Sequence, residues 1–194
     1  LLCGMVMALA EVNELSLSKM QVINYASVAE RMFVGLNNGI LDQACVVLCE
    51  KDKLLFLDTE TSDYKLIPYT GCRQFKVAVI FSGVTRKLTG TDYNLRVSEC
   101  RTVAWIAQAY NGDRLKELQD TRLRDLPQAI FHQYDGNMPE RFARRARHFY
   151  SECERVERGV EAWKRGDIES FGQLMFESCD SSRYQYECGS EELC

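Results

Sequence analysis

Apolar side chains recur at three- and four-residue intervals over positions 2–14 and again over 18–34, the spacing that collects them on one face of a helix. Ser16 or Ser18 stands where the second helix would begin, and a hydroxyl there can accept one of the unpaired first-turn amides. Gly35 to Gly39 then interrupts the pattern with two glycines and two asparagines, residues that tolerate left-handed backbone. Helical spacing resumes from Ile40 to Cys49, so Asp42 falls in the first turn of a third helix, where the helix dipole favours its ionised form.

From Lys53 the period shortens. Leu54–Leu57, Tyr64–Pro68 and Phe75–Phe81 are strand-length runs separated by Asp, Thr, Ser and Gly. The first two are predicted to pair as a hairpin around Thr59 to Asp63. The third, nearly unbroken by polar residues, is predicted as a central strand. Beyond Ser82-Gly83 the pattern predicts helices over 93–110 and 138–165; Gly166-Asp167 ends the second, and Asp167 caps a further helix running to about Ser178. Helices, then strands, then helices make an α+β fold of mixed α/β layers.

The 194 residues are 46% hydrophobic and 27% charged, enough to bury a substantial core. Net charge is -4, and no block of Lys or Arg is long enough to follow a phosphate backbone, so nucleic acid is not an expected partner. A membrane is not expected either: Val46–Leu48 and Val77–Phe81 fall far short of the roughly 20 apolar residues of a spanning helix. The nine cysteines are scattered without regular spacing, which points to reduced thiols and a cytoplasmic protein. Cys45 and Cys49 lie one helical turn apart, but no His or second Cys pair stands near them in sequence. They are read as two small buried apolar side chains. Leu1 to Ala10 is apolar without a basic leader or a small-residue cleavage site, and position 1 is not Met, so the chain is expected to be a portion of a longer protein.

The common signatures of phosphate loops, dinucleotide turns, nucleophile elbows and zinc helices are absent. The two histidines, His132 and His148, fall in charge-rich helical segments and are expected at the surface or half buried. By position alone Asp42 is one of many carboxylates and serves as readily as a helix cap.

A set of ordered local sequences narrows this. Phe33-Val34-Gly35-Leu36-Asn37-Asn38-Gly39-Ile40-Leu41-Asp42-Gln43 resembles the segment of galactokinases, members of the GHMP small-molecule kinase superfamily, that bears the catalytic Asp. Phe81-Ser82-Gly83-Val84-Thr85-Arg86 and Tyr93-Asn94-Leu95-Arg96-Val97-Ser98-Glu99-Cys100 resemble the strand, loop and helix start that follow it. Arg144-Arg145-Ala146-Arg147-His148, Gly166-Asp167 and Phe171-Gly172-Gln173-Leu174-Met175 resemble the family's helical region. The wording Asn-Gly-Ile-Leu-Asp-Gln, and Tyr186-Glu187-Cys188-Gly189 further on, is closer to the galacturonokinase branch. Glu177-Ser178-Cys179, where many galactokinases have Glu-Ser-His, departs in the same direction.

The resemblance implies a partial, two-lobed GHMP-kinase-like fold, with the rest of an N-terminal domain over 1–90 and the start of a mainly helical C-terminal domain over 91–194. It implies a sugar kinase that moves the γ-phosphoryl group of ATP, with Mg2+, to the anomeric hydroxyl of galacturonate. Galactose is the alternative substrate, and a catalytically silent sugar sensor is the alternative outside enzymes. Asp42 matches the catalytic residue, Gly39 the residue whose backbone approaches the sugar, and Asn38 its neighbour in that sugar-binding segment. Tyr93 matches a sugar-bonding tyrosine and is equally readable as a core aromatic; Arg86 faces phosphate, an acidic sugar or only solvent. No protein metal ligand is assigned, and the ATP and Mg2+ ligands are expected to lie outside this chain. The family's phosphate loop, sugar signature, late Gly-rich motif and the Arg that partners the catalytic Asp have no counterpart here, so the phosphate loop is expected just before residue 1 and the isolated chain is expected to be inactive. The protein is expected to be a monomer whose partners are a sugar and ATP.

Overall fold

The computed structural model describes residues 1–35, 38–81, 83 and 93–188, with Tyr93 described as backbone only. Helices α1 (Leu2–Val12), α2 (Lys19–Ala29) and α3 (Leu41–Leu48) occupy the positions that the periodicity predicts. Of the two serines offered for α2, Ser18 is the cap. Its Oγ accepts from the Gln21 amide at 3.3 Å, and its own amide donates to Gln21 Oε1 at 2.8 Å, so two first-turn donors are satisfied reciprocally. Ala26 and Ala44, both fully buried, let the helices approach closely; Val22 and Ala26 pack with Cys3, and Ile23 packs with Ala44 and Leu48. After Ala29 the helix widens into a π turn, Glu30–Val34, and ends at Gly35 with φ +75°, a left-handed backbone that glycine adopts without strain.

The predicted hairpin is present. Strands β1 (Lys53–Leu57) and β2 (Tyr64–Pro68) pair antiparallel with Leu55 opposite Leu66. Asp58 shapes the turn by accepting the Glu60 and Thr61 amides on Oδ1, at 2.9 and 3.2 Å. Leu55 and Leu57 pack against the Ile23, Ala44 and Leu48 cluster. Trp163 donates its indole N–H to the Ile67 carbonyl at 3.0 Å, and its ring lies 4.8 Å from that of Tyr69. These elements form one compact unit, Leu1–Gln74 with Val160–Ile168.

The second unit comprises Phe75–Gly159 and Glu169–Cys194. It holds α4 (Tyr93–Asn111), α5 (Gln128–Tyr134), most of α6 (Glu140–Lys164) and most of α7 (Ile168–Ser181), which continues as a second π turn, Ser182–Tyr186. Val103, Ala104 and Ala107 of α4 meet Phe131 of α5 and Ala143, Ala146 and Tyr150 of α6. Tyr150 buries its ring there and satisfies its hydroxyl by donating to the Leu126 carbonyl at 2.7 Å. The domain division expected between residues 90 and 91 lies outside the described residues.

The chain is helix-rich with a two-stranded sheet, in keeping with the α+β expectation. Two expectations are corrected. Phe75–Phe81 is not a central strand: no ladder pairs it among the described residues, and Val77, Val79 and Ile80 are 82%, 94% and 86% exposed. An apolar run supplies the face of a strand, but a strand exists only where a second strand accepts its backbone donors. Nor are Cys45 and Cys49 both buried. Cys45 is half-buried, whereas Cys49 is exposed, because α3 stops at Leu48 and Cys49 turns extended. The described cysteines are free thiols.

Candidate functional site

The segment carrying Asn38, Gly39 and Asp42 lies in the first unit, between the π turn and α3. Asp42 sits in the first turn of α3 with its side chain exposed, and among the described residues no side chain caps that helix. An exposed carboxyl group at this end of a helix is open to hydrogen bonding by an approaching ligand. Gly39 is exposed, and a Cβ built on it would meet nothing within 4 Å among the described residues. The backbone there is open to an approaching ligand.

Asn38 and the residue after Asp42, Gln43, converge on one acceptor. Asn38 Nδ2 and Gln43 Nε2 both donate to Glu30 Oε2, the latter at 2.6 Å. Gln43 is only 4% exposed, and Glu30 is half-buried at the start of the π turn. The loop and α3 are therefore stapled to the end of α2 by charge-assisted bonds, roughly twice as strong as neutral ones. Asn38 Oδ1 and Gln43 Oε1 are buried without a hydrogen-bond partner among the described residues. Two orphaned amide oxygens next to a carboxylate form a set of hard oxygen donors.

Glu30 was not among the residues singled out from sequence. A signal was present, however: Ile23, Ala26, Ser27 and Glu30 share one helical stripe, and the first three are buried. A carboxylate on a core stripe needs a partner.

Tyr93 is the first residue of α4 and belongs to the second unit. Its side chain, and all of Arg86, lie outside the described residues. Sequence reasoning also passed over an ionic network on α4 and α6. Glu99 is 2% exposed and is met by Arg96 Nη1 at 3.0 Å, by Arg145 Nε at 2.7 Å and by Arg141. Arg145, with no exposed surface, spends its other nitrogens on the Gln185 carbonyl and on Glu187 Oε2 at 2.6 Å. Burial raises the Glu99 carboxyl, but Arg145, Arg96 and Arg141 together outweigh it and leave it below the ordinary carboxylate range. Glu187 is likewise held low, first by its bond to Arg145.

His148 is half-buried, as expected, with Nδ1 2.9 Å from Ser181 Oγ and its ring stacked on Tyr186. Burial, then the charges of Arg155 and Arg145, push its pKa down to about 4. His132 is exposed. Near His148 a cleft of about 450 Å³ is lined by Arg147, Arg155, Glu177 and Asp180 among others, yet its arginines are already paired with Asp135, Glu140, Glu152 and Glu177. Among the described residues no group of three His, Cys, Asp or Glu side chains could hold a metal, and no helix is long and apolar enough to cross a membrane.

Residues 1–50, which span α1 to α3 and include Asn38, Gly39 and Asp42, match the family described as GHMP kinases N terminal domain. The chain is 37% identical over 189 residues to a galacturonokinase of Arabidopsis thaliana, covering 96% of this chain and 44% of that protein. It is 32% identical over 185 residues to a galactokinase of Thermotoga maritima, covering 95% and 48% respectively. The crystal structure of Lactococcus lactis galactokinase complexed with galactose superposes with a TM-score of 0.82 at 24% identity, over 98% of this chain and 47% of that one. The fold is thus that of a GHMP kinase. Residues 1–50 match that family's N-terminal domain, the chain is similar over nearly its whole length to a galacturonokinase and to galactokinases, and it spans about half the length of the relatives it matches.

Proposed function

We propose that the protein containing this chain is an ATP-dependent sugar 1-kinase that phosphorylates the anomeric hydroxyl of galacturonate. The observation that carries this reading is the Asn38-to-Gln43 segment. It resembles the catalytic segment of galactokinases, folds as an open loop running into a helix, and presents Asp42 exposed in that helix's first turn. The higher identity to a galacturonokinase, 37% against 32% for a galactokinase, supports the acidic sugar.

Phosphoryl transfer demands alignment of the attacking and leaving oxygens and neutralisation of developing charge, with little covalent work for the protein. Asp42 hydrogen-bonds the anomeric hydroxyl, turns its oxygen toward the γ-phosphorus and accepts its proton as the new P–O bond forms and ADP departs. Its help comes mainly through position. Asn38 and Gly39 form the sugar's side of the site, where the missing Cβ of Gly39 leaves the backbone within reach. Tyr93 bonds a sugar hydroxyl, and Arg86 faces phosphate or the sugar carboxylate.

The oxygens of Glu30 and Asn38 are hard donors that fit Mg2+, which is commonly held by one or two carboxylates together with substrate phosphates. Glu30, with the orphaned oxygen of Asn38, would hold it, and when bound it would neutralise charge on the transferred phosphoryl group. Glu30 meanwhile keeps the loop and α3 in register through its two amide donors.

The test is the kcat/KM of the full-length protein for galacturonate and for galactose with ATP. A clear preference for galacturonate is expected. A preference for galactose would reassign the substrate, and binding of either sugar without phosphorylation would favour a sensor.

A further inference from the structure

Along α4, the two halves of one helix are held by different forces. From Val103 onward the buried side chains are apolar, Val103, Ala104 and Ala107, and all three sit in the core of the second unit. In the first two turns, among the residues whose side chains are described, the buried ones are Arg96 and Glu99. Asn94, Leu95 and Ser98 are exposed and Val97 is half-buried. The beginning of α4 is therefore seated by ions rather than by packing.

That difference has a geometric consequence. Apolar packing is non-directional and tolerates small rotations, whereas a guanidinium and a carboxylate bond only along fixed directions. Glu99 receives three guanidinium groups from two helices. Arg145 reaches it from α6 while its other nitrogens hold Gln185 and Glu187, and Arg96 Nη2 donates to the Glu187 carbonyl at 3.3 Å. The start of α4, the middle of α6 and the turn at 185–187 are locked by one network whose two most buried charges, Glu99 and Arg145, neutralise each other. Buried ion pairs add little net stability but can specify one arrangement among several.

We propose that Glu99 is a positioning residue for the sugar, acting through α4 on Tyr93. This rests on the reading of Tyr93 as a sugar contact. Glu99 lies six positions along the same helix, with Arg96 midway, so the ions fix the rotation and tilt of the turn that begins at Tyr93. Loss of the clamp frees that turn.

The experiment uses the full-length protein with Glu99→Gln, Glu99→Asp and the milder Arg141→Gln, which removes one partner that is 53% exposed and leaves the two others. Amide hydrogen exchange is read separately over 94–99 and 103–107, and KM for galacturonate and galactose, KM for ATP and kcat are measured alongside. The inference expects exchange to quicken over 94–99 and not over 103–107. It expects sugar KM to rise about fivefold or more in Glu99→Gln, and about two- to threefold in Arg141→Gln, with ATP KM and kcat nearly unchanged. Glu99→Asp should recover most of the loss. Should Glu99→Gln not fold, Arg141→Gln carries the same two readouts.

Unchanged exchange over 94–99 overturns the clamp. Quickened exchange with unaltered sugar KM, or with sugar KM, ATP KM and kcat all impaired together, reduces the network to a structural one and overturns the positioning role. A wild-type protein that phosphorylates neither sugar overturns the kinase reading, and the inference with it, whatever the exchange shows.

Discussion

Gln43 donates its side-chain amide to Glu30 Oε2 at 2.6 Å, tying the residue next to Asp42 across 13 positions of chain to the end of α2. The bond couples the start of α3 to a carboxylate that also receives Asn38, so the loop between them has little freedom to shift.

Glu30→Ala should therefore act on both stability and chemistry. Leaving the buried Gln43 amide without its acceptor costs about 1–3 kcal/mol, measurable as a lower denaturation midpoint. Glu30→Gln keeps the size of the side chain and removes its charge. In the full-length protein it should raise the Mg2+ concentration for half-maximal activity about tenfold. A Mg2+ titration that matches wild type would leave Glu30 with a purely structural role.

The pH dependence of stability should show two windows, and the first belongs to His148. Its folded pKa of about 4 lies below the ordinary 6.5, so between those values the unfolded chain binds a proton that the folded chain refuses. The contribution of neutral His148 is fully present above about pH 6.5 and is lost as pH falls toward 4. Glu99 and Glu187 are shifted the other way relative to charge, their folded carboxyls being held below the ordinary range. Their contribution is present above the unfolded carboxyl pKa of about 4.3 and is lost only as pH falls through the lower folded values. Denaturation of His148→Gln from pH 7 to 4 should show a flatter decline than wild type; an identical slope would mean that another group carries this window.

Gly166 ends α6 with φ +69°, and a Cβ built there would come within 2.4 Å of Gly71 Cα. The neighbouring Thr70 hydroxyl donates to the Lys164 carbonyl at 2.6 Å, so the close approach belongs to a bonded junction in the first unit. Gly166→Ala should destabilise by about 1–3 kcal/mol from backbone strain alone, with the contact adding to it. A thermal midpoint equal to wild type would show that the junction yields freely.

Much of the fold was legible because its signals are local. Ser18 with Gln21, the apolar stripes of α1 to α3, the hairpin runs flanking Thr59 to Asp63, and Gly166 after the long helix each specify structure within a few residues. The failures share a cause as well. Phe75–Phe81 has the composition of a strand, but strands depend on partners that lie elsewhere in sequence. Asp42 was legible as a candidate through family resemblance, because its position in a helix's first turn is shared with ordinary caps. Glu30, Glu99 and Arg145 were missed because, although Arg96 stands only three positions from Glu99, the partners Gln43, Arg145 and Glu187 stand 13, 46 and 42 positions from them. What the sequence did offer was a charge on a stripe of buried residues, a sign that a distant partner must exist.

The account rests most heavily on Asp42, and the direct measurement is sugar phosphorylation by full-length Asp42→Ala beside wild type, with sugar binding measured on both. The account predicts that turnover falls at least about a hundredfold while sugar affinity changes little, because Asp42 orients the hydroxyl and takes its proton. A variant that keeps most of the wild-type turnover would contradict it.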